Sequence, residues 1–400
     1  MEQWRKNLYI LWFGCFLNAM SYTLVVPFLP LFLQELDVTS GIETWSGLTL
    51  SASFMVSAIV SPIWGSLADR YGRKVMVIRA GLGMGAIYIL QFFVTTPVQL
   101  LVLRLLNGLF SGFIPSSTAL IATNTPEEHI GTSLGILQTA QASGSIMGPL
   151  IGGVMGQYLG FRATFLTAGS VLMMCTIMVA MSVRETAARR PDQKIEIGKD
   201  IRMALSNSSL KIMLLCAAFI QTALTILQPV LSLQVAKLGG AETASLSSGL
   251  VYSAAGIAAV FGAPLFGSRG RKFGYKRILV SSLLVAGAMN LPQAFVKSLI
   301  LFGILRFLVG FFTAGVQLSV NAVTAKSVPL DFRGRAFGIL QSSNQLGSMM
   351  GPIIGGVTGT LFGLESTFIV TAVILVLGSL VTQRLLPTDD QRAHLRLTNA

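Results

Sequence analysis

The sequence has little charge, and least of all negative charge. Only 11% of its 400 residues are charged, with 16 Asp and Glu against 29 Lys and Arg. Soluble domains carry about 25% charged residues. Hydrophobic residues make up 52% of the chain. The composition therefore excludes an ordinary soluble domain and predicts a protein that crosses a membrane many times.

Residues that carry catalysis or bind metals are also scarce. The two histidines, His129 and His394, lie in polar segments, and the three cysteines all lie inside apolar runs. No pair of histidines shares a helix face, no cysteine spacing suits a metal, and no GxxxxGK[ST] phosphate loop is present. We therefore expect no metal site, no cofactor, no disulfide framework, no ATP-driven step and no enzyme activity.

Apolar runs near 20 residues long recur through almost the whole sequence. Each run is long enough to cross a hydrocarbon core of about 30 Å as a helix. The runs lie near residues 8–33, 45–67, 76–95, 98–121, 132–157, 163–183, 210–236, 246–266, 278–296, 299–323, 335–360 and 365–386. The sequence thus predicts an all-α membrane protein with twelve transmembrane helices in two six-helix bundles. These bundles are residues 1–183 and 210–400, joined by a cytoplasmic linker at 184–209. Pro27 and Pro30 should bend or end the first span near its outer end.

The positive charge is distributed unevenly between alternate loops. If the chain begins in the cytoplasm, only Arg162, Lys237 and Lys297 fall on the external side. This bias is the positive-inside signal and predicts that both termini are cytoplasmic. Membrane topology and contact with anionic lipid explain the net charge of +13, so we expect no nucleic-acid partner.

Residues 65–74 form a short charged interruption in the apolar first half, and residues 267–276 are a degraded copy of it. Gly65 and Gly72 recur in the copy, which suits a tight reversal between two helices. The acid Asp69 is replaced there by an arginine. We predict a conformational switch in this stretch, formed by Gly65, Asp69, Gly72 and Arg73.

Two interpretations of Asp69 follow from its position. In the first, its carboxylate docks on the start of span eleven, near Gly334 and Arg335, because a helix N-terminus carries partial positive charge. In the second, Asp69 pairs with Arg70 or Arg73 and holds the turn.

Span five and span eleven share a pattern of glycines and a proline. Glycines at i, i+4 and i+8 form a smooth stripe that lets another helix approach closely, and the proline frees a carbonyl one turn back. We predict that these residues belong to the conformational switch: Gly144, Gly148 and Pro149 in span five, and Gly351 and Pro352 in span eleven.

Arg104 and Arg306 lie at matching positions inside apolar runs of the two halves. A guanidinium at such depth costs roughly 3 kcal/mol or more, so each should face a bundle interior or a water-filled cavity. The alternative is structural pairing with helix-end carbonyls.

Neutral polar side chains are the other candidates for a substrate cavity or for coupling. They either line a cavity through adaptable hydrogen bonds or join helices to one another. The candidates are Asn18, Tyr22, Asn107, Gln138, Gln141, Gln221, Thr225, Gln228, Gln341, Asn344 and Gln345.

The 65–74 stretch, the Arg104 element and the doubled glycine stripe together resemble the major facilitator superfamily, in its twelve-span drug:proton antiporter subfamily. The resemblance implies inverted repeats within each half, a midplane cavity and alternating access. It also implies export of amphipathic drugs or other toxic compounds across the bacterial cytoplasmic membrane in exchange for protons. The alternative is an uncoupled transporter of one metabolite, such as a sugar or a lipid-like molecule. We expect a monomer surrounded by membrane lipid.

The sequence departs from that subfamily in the acidic residues that are expected to carry the proton. Many members carry an Asp or Glu inside span one or span four, whereas the predicted spans here contain neither acid. Thr123 stands where family members often place an acid near the cytoplasmic end of span four. Asp69, at the cytoplasmic edge of span two, is the nearest carboxylate to the predicted spans.

Overall fold

The computed structural model describes residues 2–185, 208–328 and 333–386, and all regular secondary structure in these ranges is helical. Nine stretches within the described ranges are long and apolar enough to cross a membrane. The prediction of an all-helical, multi-pass membrane protein is therefore confirmed.

Packing divides the chain into two units. The first takes in the described residues up to 185, together with Leu231–Ala236 and Gly240–Ser253. The second takes in 208–230, Lys237–Gly239 and the described residues from 254 onwards. Most of the predicted linker, at 186–207, lies outside the described residues.

The helices before residue 186 belong to the first unit. They are α1 (Gln3–Val25), α2 (Leu29–Glu35), α3 (Ile42–Tyr71), α4 (Arg73–Gln91), α5 (Pro97–Leu109), α6 (Phe113–Asn124), α7 (Ile130–Tyr158) and α8 (Phe161–Ser182). A 3-10 turn, Glu127–His129, precedes α7. Two apolar clusters fill this unit, one around Phe28, Phe32 and Phe165 and the other around Leu11 and Phe113.

The remaining helices follow residue 207. They are α9 (Ser208–Ile226), α10 (Gln228–Gly239), α11 (Ala244–Phe273), α12 (Tyr275–Asn290), α13 (Leu299–Ser327), α14 (Arg333–Phe362) and α15 (Leu364–Leu385). A 3-10 turn, Pro292–Ala294, follows α12. Buried residues of α9, α12, α13, α14 and α15 form the main apolar cluster of the second unit.

Three of the predicted spans correspond to helices that are not among the nine. In α7 and α14 the glycines, serines and amides lower the hydropathy, while α12 has only 16 residues. The count of twelve spans therefore stays a prediction.

Three predicted spans are interrupted, and the span at 210–236 breaks only at Leu227, between α9 and α10. The first ends as a helix at Val25 and resumes at Leu29, in agreement with the expectation that Pro27 and Pro30 bend or end it. Span four, expected to be continuous over 98–121, breaks between Leu109 and Phe113. This expectation was wrong because Gly112 adopts a left-handed φ of 112°, a conformation that glycine tolerates and an α-helix does not contain.

The charged interruption and its copy form matching helix reversals. Gly72 separates α3 from α4 with φ 104°, and Gly274 separates α11 from α12 with φ 89°. Gly65 and Gly267 lie inside helices instead. Only the second glycine of each pair therefore makes the reversal.

Candidate substrate and coupling site

Arg104 lies inside the first unit with only 2% of its surface exposed. It is seven residues from the start of α5, about 10 Å along the helix. Its Nε and Nη2 atoms are buried and have no hydrogen-bond partner. Its backbone carbonyl accepts a hydrogen bond at 2.8 Å from the hydroxyl of Ser53 on α3, which ties α5 to α3 at this level.

Two tyrosines from other helices surround the guanidinium. The Arg104 Cζ atom lies 6.0 Å from the ring centroid of Tyr88 on α4. The hydroxyls of Tyr88 and of Tyr22 on α1 both interact electrostatically with the arginine. By strict geometry neither hydroxyl is paired, but the Tyr88 hydroxyl lies close enough to the Arg104 guanidinium to interact with it as a hydrogen-bond partner. Helices α1, α4 and α5 therefore bring polar groups to one buried point.

Helical spacing adds further polar groups on the same faces. Asn107 is three residues after Arg104, is 3% exposed, and has a buried Nδ2 atom without a partner. Gln91 is three residues after Tyr88 and is fully buried, with neither of its amide atoms paired. Asn18, four residues before Tyr22, donates to the sulfur of Met84 on α4 at 3.4 Å.

We name Tyr22, Tyr88, Arg104 and Asn107 the Arg104 cluster. The sequence singled out three of its members, and Tyr88 was missed. A lone tyrosine in an apolar run has no sequence pattern that separates it from ordinary core packing. Its role appears only when the fold places it beside the arginine.

Arg306 is not equivalent to Arg104 in its surroundings. It lies at the corresponding place on α13 but is only half-buried. The two halves therefore share a pair of arginines and differ in how far each is removed from solvent and lipid.

A second polar group that the sequence analysis missed lies at the break in span four. Pro115 has no N–H, so it cannot donate to the carbonyl of Ser111 one turn back. The Nη2 atom of Arg79 donates to that carbonyl at 2.5 Å. The same guanidinium lies 3.5 Å from the ring centroid of Trp64, whose indole donates to the Leu109 carbonyl at 2.8 Å. The freed carbonyls of the break are thus held by α3 and α4.

The glycine stripe of α7 packs against α1 inside the first unit. A Cβ added at any of its three glycines would lie closer than 3 Å to a backbone carbonyl of α1. The contacts join Gly144 to Phe16, Gly148 to Met20, and Gly152 to Leu24.

The stripe of α14 makes the same arrangement with α9 in the second unit. Its contacts join Gly347 to Ala218, Gly351 to Thr222, and Gly355 to Ile226. A threonine on each partner helix reaches across, with Thr23 donating to Gly144 at 3.3 Å and Thr225 to Gly347 at 3.4 Å. The close approach expected from the glycines is therefore present in both halves, and the structure identifies the partner helices. Pro149 and Pro352 both lie within unbroken helices.

Another glycine of α7 has a different neighbour. Gly153 packs against Gly249 at the beginning of α11, a segment that belongs to the first unit. Ser245 donates to the Gly153 carbonyl at 3.1 Å, and Ser253 donates to the Ile146 carbonyl at 2.8 Å.

The predicted amides do not all come together. Gln138 on α7 and Gln341 on α14 are exposed, while Gln141, Asn344 and Gln345 are half-buried. On α9, Gln221 donates to the hydroxyl of Ser348 at 3.1 Å, and its backbone carbonyl accepts from Thr225. Gln228 begins α10 and is half-buried. At least Gln221 and Thr225 therefore make contacts that join helices.

The proposed lock at Asp69 falls partly outside the described residues, because the side chains of Asp69 and Arg335 are not described. Gly334 lies in the first turn of α14, as the sequence predicted for the start of span eleven. Arg73 begins α4 directly after the Gly72 reversal.

An arginine and neutral polar groups buried inside the spans of a multi-pass helical protein are typical of membrane proteins that handle solutes. A family model described as Major Facilitator Superfamily matches residues 11–267 and 213–398. The chain belongs to the major facilitator superfamily. It is a transporter rather than an enzyme, and a multi-pass protein of the bacterial cytoplasmic membrane.

Relatives and solved structures agree with this assignment. The chain is 37% identical over 397 residues to "Multidrug resistance protein MdtG" of Yersinia enterocolitica, covering 98% of this chain and 96% of the relative. It is 36% identical over 381 residues to the protein of the same name from Klebsiella pneumoniae, covering 94% and 92%. Its fold is similar to a bacterial homologue of the human lysosomal transporter Spinster, with a TM-score of 0.84, 16% identity and coverage of 96% and 97%.

Proposed function

We propose that this transporter exports amphipathic drugs or related toxic compounds by alternating access, in exchange for protons. The observation that carries the proposal is the 37% identity, over nearly the whole chain, to a protein named for multidrug resistance. The buried Arg104 cluster supports it, because an ionisable residue inside a membrane span is costly to maintain without a function.

The proposed topology has twelve spans with both termini in the cytoplasm. The lysine and arginine distribution supports this orientation. The count of twelve spans is supported by the helices between the predicted loops, among them α7, α12 and α14. We further propose that the protein acts as a monomer in contact with membrane lipid.

The proposed roles divide the candidate residues into two sets. The Arg104 cluster in the first unit and Arg306 in the second contribute to substrate binding or coupling, together with polar residues proposed to line the pathway: Asn18, Gln138, Gln141, Gln221, Thr225, Gln228, Gln341, Asn344 and Gln345. Gln221 and Thr225 would combine this role with their contacts to α14. The second set governs the conformational change, and comprises Gly65, Asp69, Gly72, Arg73, Gly144, Gly148, Pro149, Gly351 and Pro352.

Proteoliposomes that contain the purified protein and a pH-sensitive dye test the function. Addition of a transported lipophilic dye such as ethidium should trigger proton movement in wild-type vesicles and not in protein-free vesicles. The Arg104→Ala variant, reconstituted to the same level, should show neither dye transport nor proton movement. Transport of the dye without proton movement would refute the exchange mechanism, and a fully active variant would refute the role of Arg104.

A further inference from the structure

The Arg104 cluster is rich in hydrogen-bond donors and poor in negative charge. A guanidinium offers five N–H donors and no acceptor, and the Nδ2 atom of Asn107 adds another donor. The hydroxyls of Tyr22 and Tyr88 can both donate. Buried atoms of Tyr22, Arg104 and Asn107 lack a hydrogen-bond partner, and the Tyr88 hydroxyl lies beside the guanidinium.

No carboxylate among the described residues forms an ion pair with Arg104. The sequence strengthens this observation, since it contains no Asp or Glu between Glu43 and Asp69 or between Asp69 and Glu127. The only other glutamate and aspartate residues near the start of the chain are Glu2, Glu35 and Asp37. There is thus no Asp or Glu in α4, α5 or α6 that could pair with Arg104. In α3 the only acids are Glu43 and Asp69, one near each end of the helix.

An uncompensated buried charge is expensive, and proteins normally pair it or let it bind an ion. The tyrosine hydroxyls and the asparagine amide can accept hydrogen bonds as well as donate them, but they are neutral and do not balance the charge of the arginine. A group that only accepts hydrogen bonds and carries one negative charge would satisfy the arginine and its neighbours together. A buried polar group without a partner in a native fold is explained by an absent ion or water molecule, or by a functional role.

We infer that the Arg104 cluster is a binding site for a single anionic group, held by the buried guanidinium and the hydroxyl and amide donors around it. Two sources supply this chemistry. One is a free inorganic anion such as chloride, and the other is the carboxylate of an amphipathic organic molecule. The second source rests on the proposed transport function, whereas the first does not.

Binding is tested on purified protein in detergent, without any gradient, in a HEPES–Tris buffer free of halide and carboxylate. Chloride is titrated while the apparent midpoint of thermal unfolding is measured, because a ligand that binds only the folded state raises it in a saturable way. The organic source is tested with 1-naphthoate, and 1-naphthamide is the matched uncharged compound. Saturable stabilisation by chloride alone assigns the inorganic source, and stabilisation by naphthoate but not naphthamide assigns the organic one.

The variants locate the site. Arg104→Gln should weaken anion binding at least tenfold, while Arg269→Gln, the same change at an exposed arginine of α11, should leave the anion affinity within twofold. Tyr22→Phe and Tyr88→Phe each remove one hydroxyl and should weaken binding about threefold to tenfold. These two variants keep the test decisive if Arg104→Gln does not fold.

Three results would overturn the inference. The first is no saturable response of the wild type to either anion, which would leave water as the partner of the cluster. The second is equal stabilisation by naphthoate and naphthamide with no response to chloride. The third is an unchanged anion affinity in Arg104→Gln or in both tyrosine variants. Failure of the proposed transport function would appear separately, as saturable anion binding in a protein that moves no dye.

Discussion

The carboxylate of Glu185 accepts two hydrogen bonds, from the backbone N–H of Arg73 at 2.9 Å and from the backbone N–H of Lys74 at 3.0 Å. Glu185 and Arg73 are 112 positions apart in the sequence. Arg73 and Lys74 begin α4 directly after the Gly72 reversal. The first N–H groups of a helix have no partner within the helix and carry partial positive charge. Glu185 therefore caps the helix that follows the charged 65–74 stretch.

The neighbouring residue is fixed as well. The side-chain amide of Asn7 on α1 donates to the Arg184 carbonyl at 2.7 Å and accepts from the Arg184 N–H at 3.2 Å. Asn124, the last residue of α6, donates to the same carbonyl at 3.1 Å. The chain that leaves α8 is thus attached to α1, α4 and α6 over two successive residues.

Glu185→Ala should lower the free energy of unfolding by about 0.5–2 kcal/mol, the usual cost of removing an N-terminal cap. Glu185→Gln keeps an acceptor and should lose less. The measurement is the apparent midpoint of thermal unfolding in detergent. Glu128→Ala is the control, because Glu128 is an exposed acid of the Glu127–His129 turn. Equal midpoints for Glu185→Ala and the control would contradict the capping role.

The break in span four predicts a coupling between Arg79 and Pro115. Arg79→Gln removes a charge-assisted hydrogen bond to the Ser111 carbonyl, a type of bond worth about 1.5–3 kcal/mol. Pro115→Ala supplies an N–H that can bond to this carbonyl, so it provides a second partner. The destabilisation caused by Arg79→Gln should therefore be smaller, by about 1 kcal/mol, in the Pro115→Ala background.

All four proteins of this double-mutant cycle are compared by thermal unfolding. Lys74→Gln is a matched control, because it removes a positive charge from the same helix. Effects of Arg79→Gln and Pro115→Ala that add within about 0.5 kcal/mol would show that the two residues act independently.

The sequence predicted the helical segments well, because their hydropathy follows directly from the cost of placing polar groups in lipid. It also predicted the break after Val25 from Pro27 and Pro30. It did not predict the break at Gly112. A proline such as Pro115 is tolerated within many membrane helices when other groups bond to the freed carbonyl, and the partner, Arg79, is distant in sequence.

The same reasoning explains the outcome at the candidate site. Arg104 was recognisable because a charge in an apolar run is costly wherever the chain folds. The identity of its neighbours depends on which helices pack together, so Tyr88 gave no signal. The glycine stripe predicted a close approach of two helices, but glycine spacing does not identify the second helix, which is α1 for Gly148 and α9 for Gly351.

Gly148→Ala and Gly351→Ala should destabilise the protein by similar amounts, about 1–3 kcal/mol each. At both positions a Cβ would lie closer than 3 Å to a threonine hydroxyl oxygen and a backbone carbonyl of the facing helix. The thermal unfolding midpoint of each variant measures the effect. The facing atoms are related by the internal repeat, which is why the two costs should match.

Gly135→Ala in α7 and Gly338→Ala in α14 are the matched controls, since nothing lies within 4 Å of a Cβ at either position. In open helical positions, alanine in place of glycine should be neutral or should stabilise by up to about 1 kcal/mol. Stripe variants as stable as these controls would contradict the close packing of α7 on α1 and of α14 on α9.

The beginning of α11 lies against α7 through several contacts that leave almost no space. A Cβ at Gly249 would lie 3.0 Å from the Cα of Gly153, and a Cβ at Gly153 would lie 3.0 Å from the Cα of Gly249. Just before α11, the Glu242 carbonyl accepts a hydrogen bond at 2.6 Å from the side chain of Gln157 on α7. Such contacts form an arrangement that is either closed or separated, with little room for partial opening.

The predicted bundles, 1–183 and 210–400, assign α7 and α11 to different halves, so the proposed alternating access should open this contact in one part of the transport cycle. Cysteines introduced together at Gln157 and Glu242, in a protein whose Cys15, Cys175 and Cys216 are replaced by alanine, can be joined by a short methanethiosulfonate cross-linker. Joining them should stop dye transport in proteoliposomes, because the closed arrangement can no longer separate, and a reducing agent should restore it. The single-cysteine variants treated with the same reagent should retain transport. Full transport by the cross-linked double variant would show that α7 and the beginning of α11 stay together throughout the cycle.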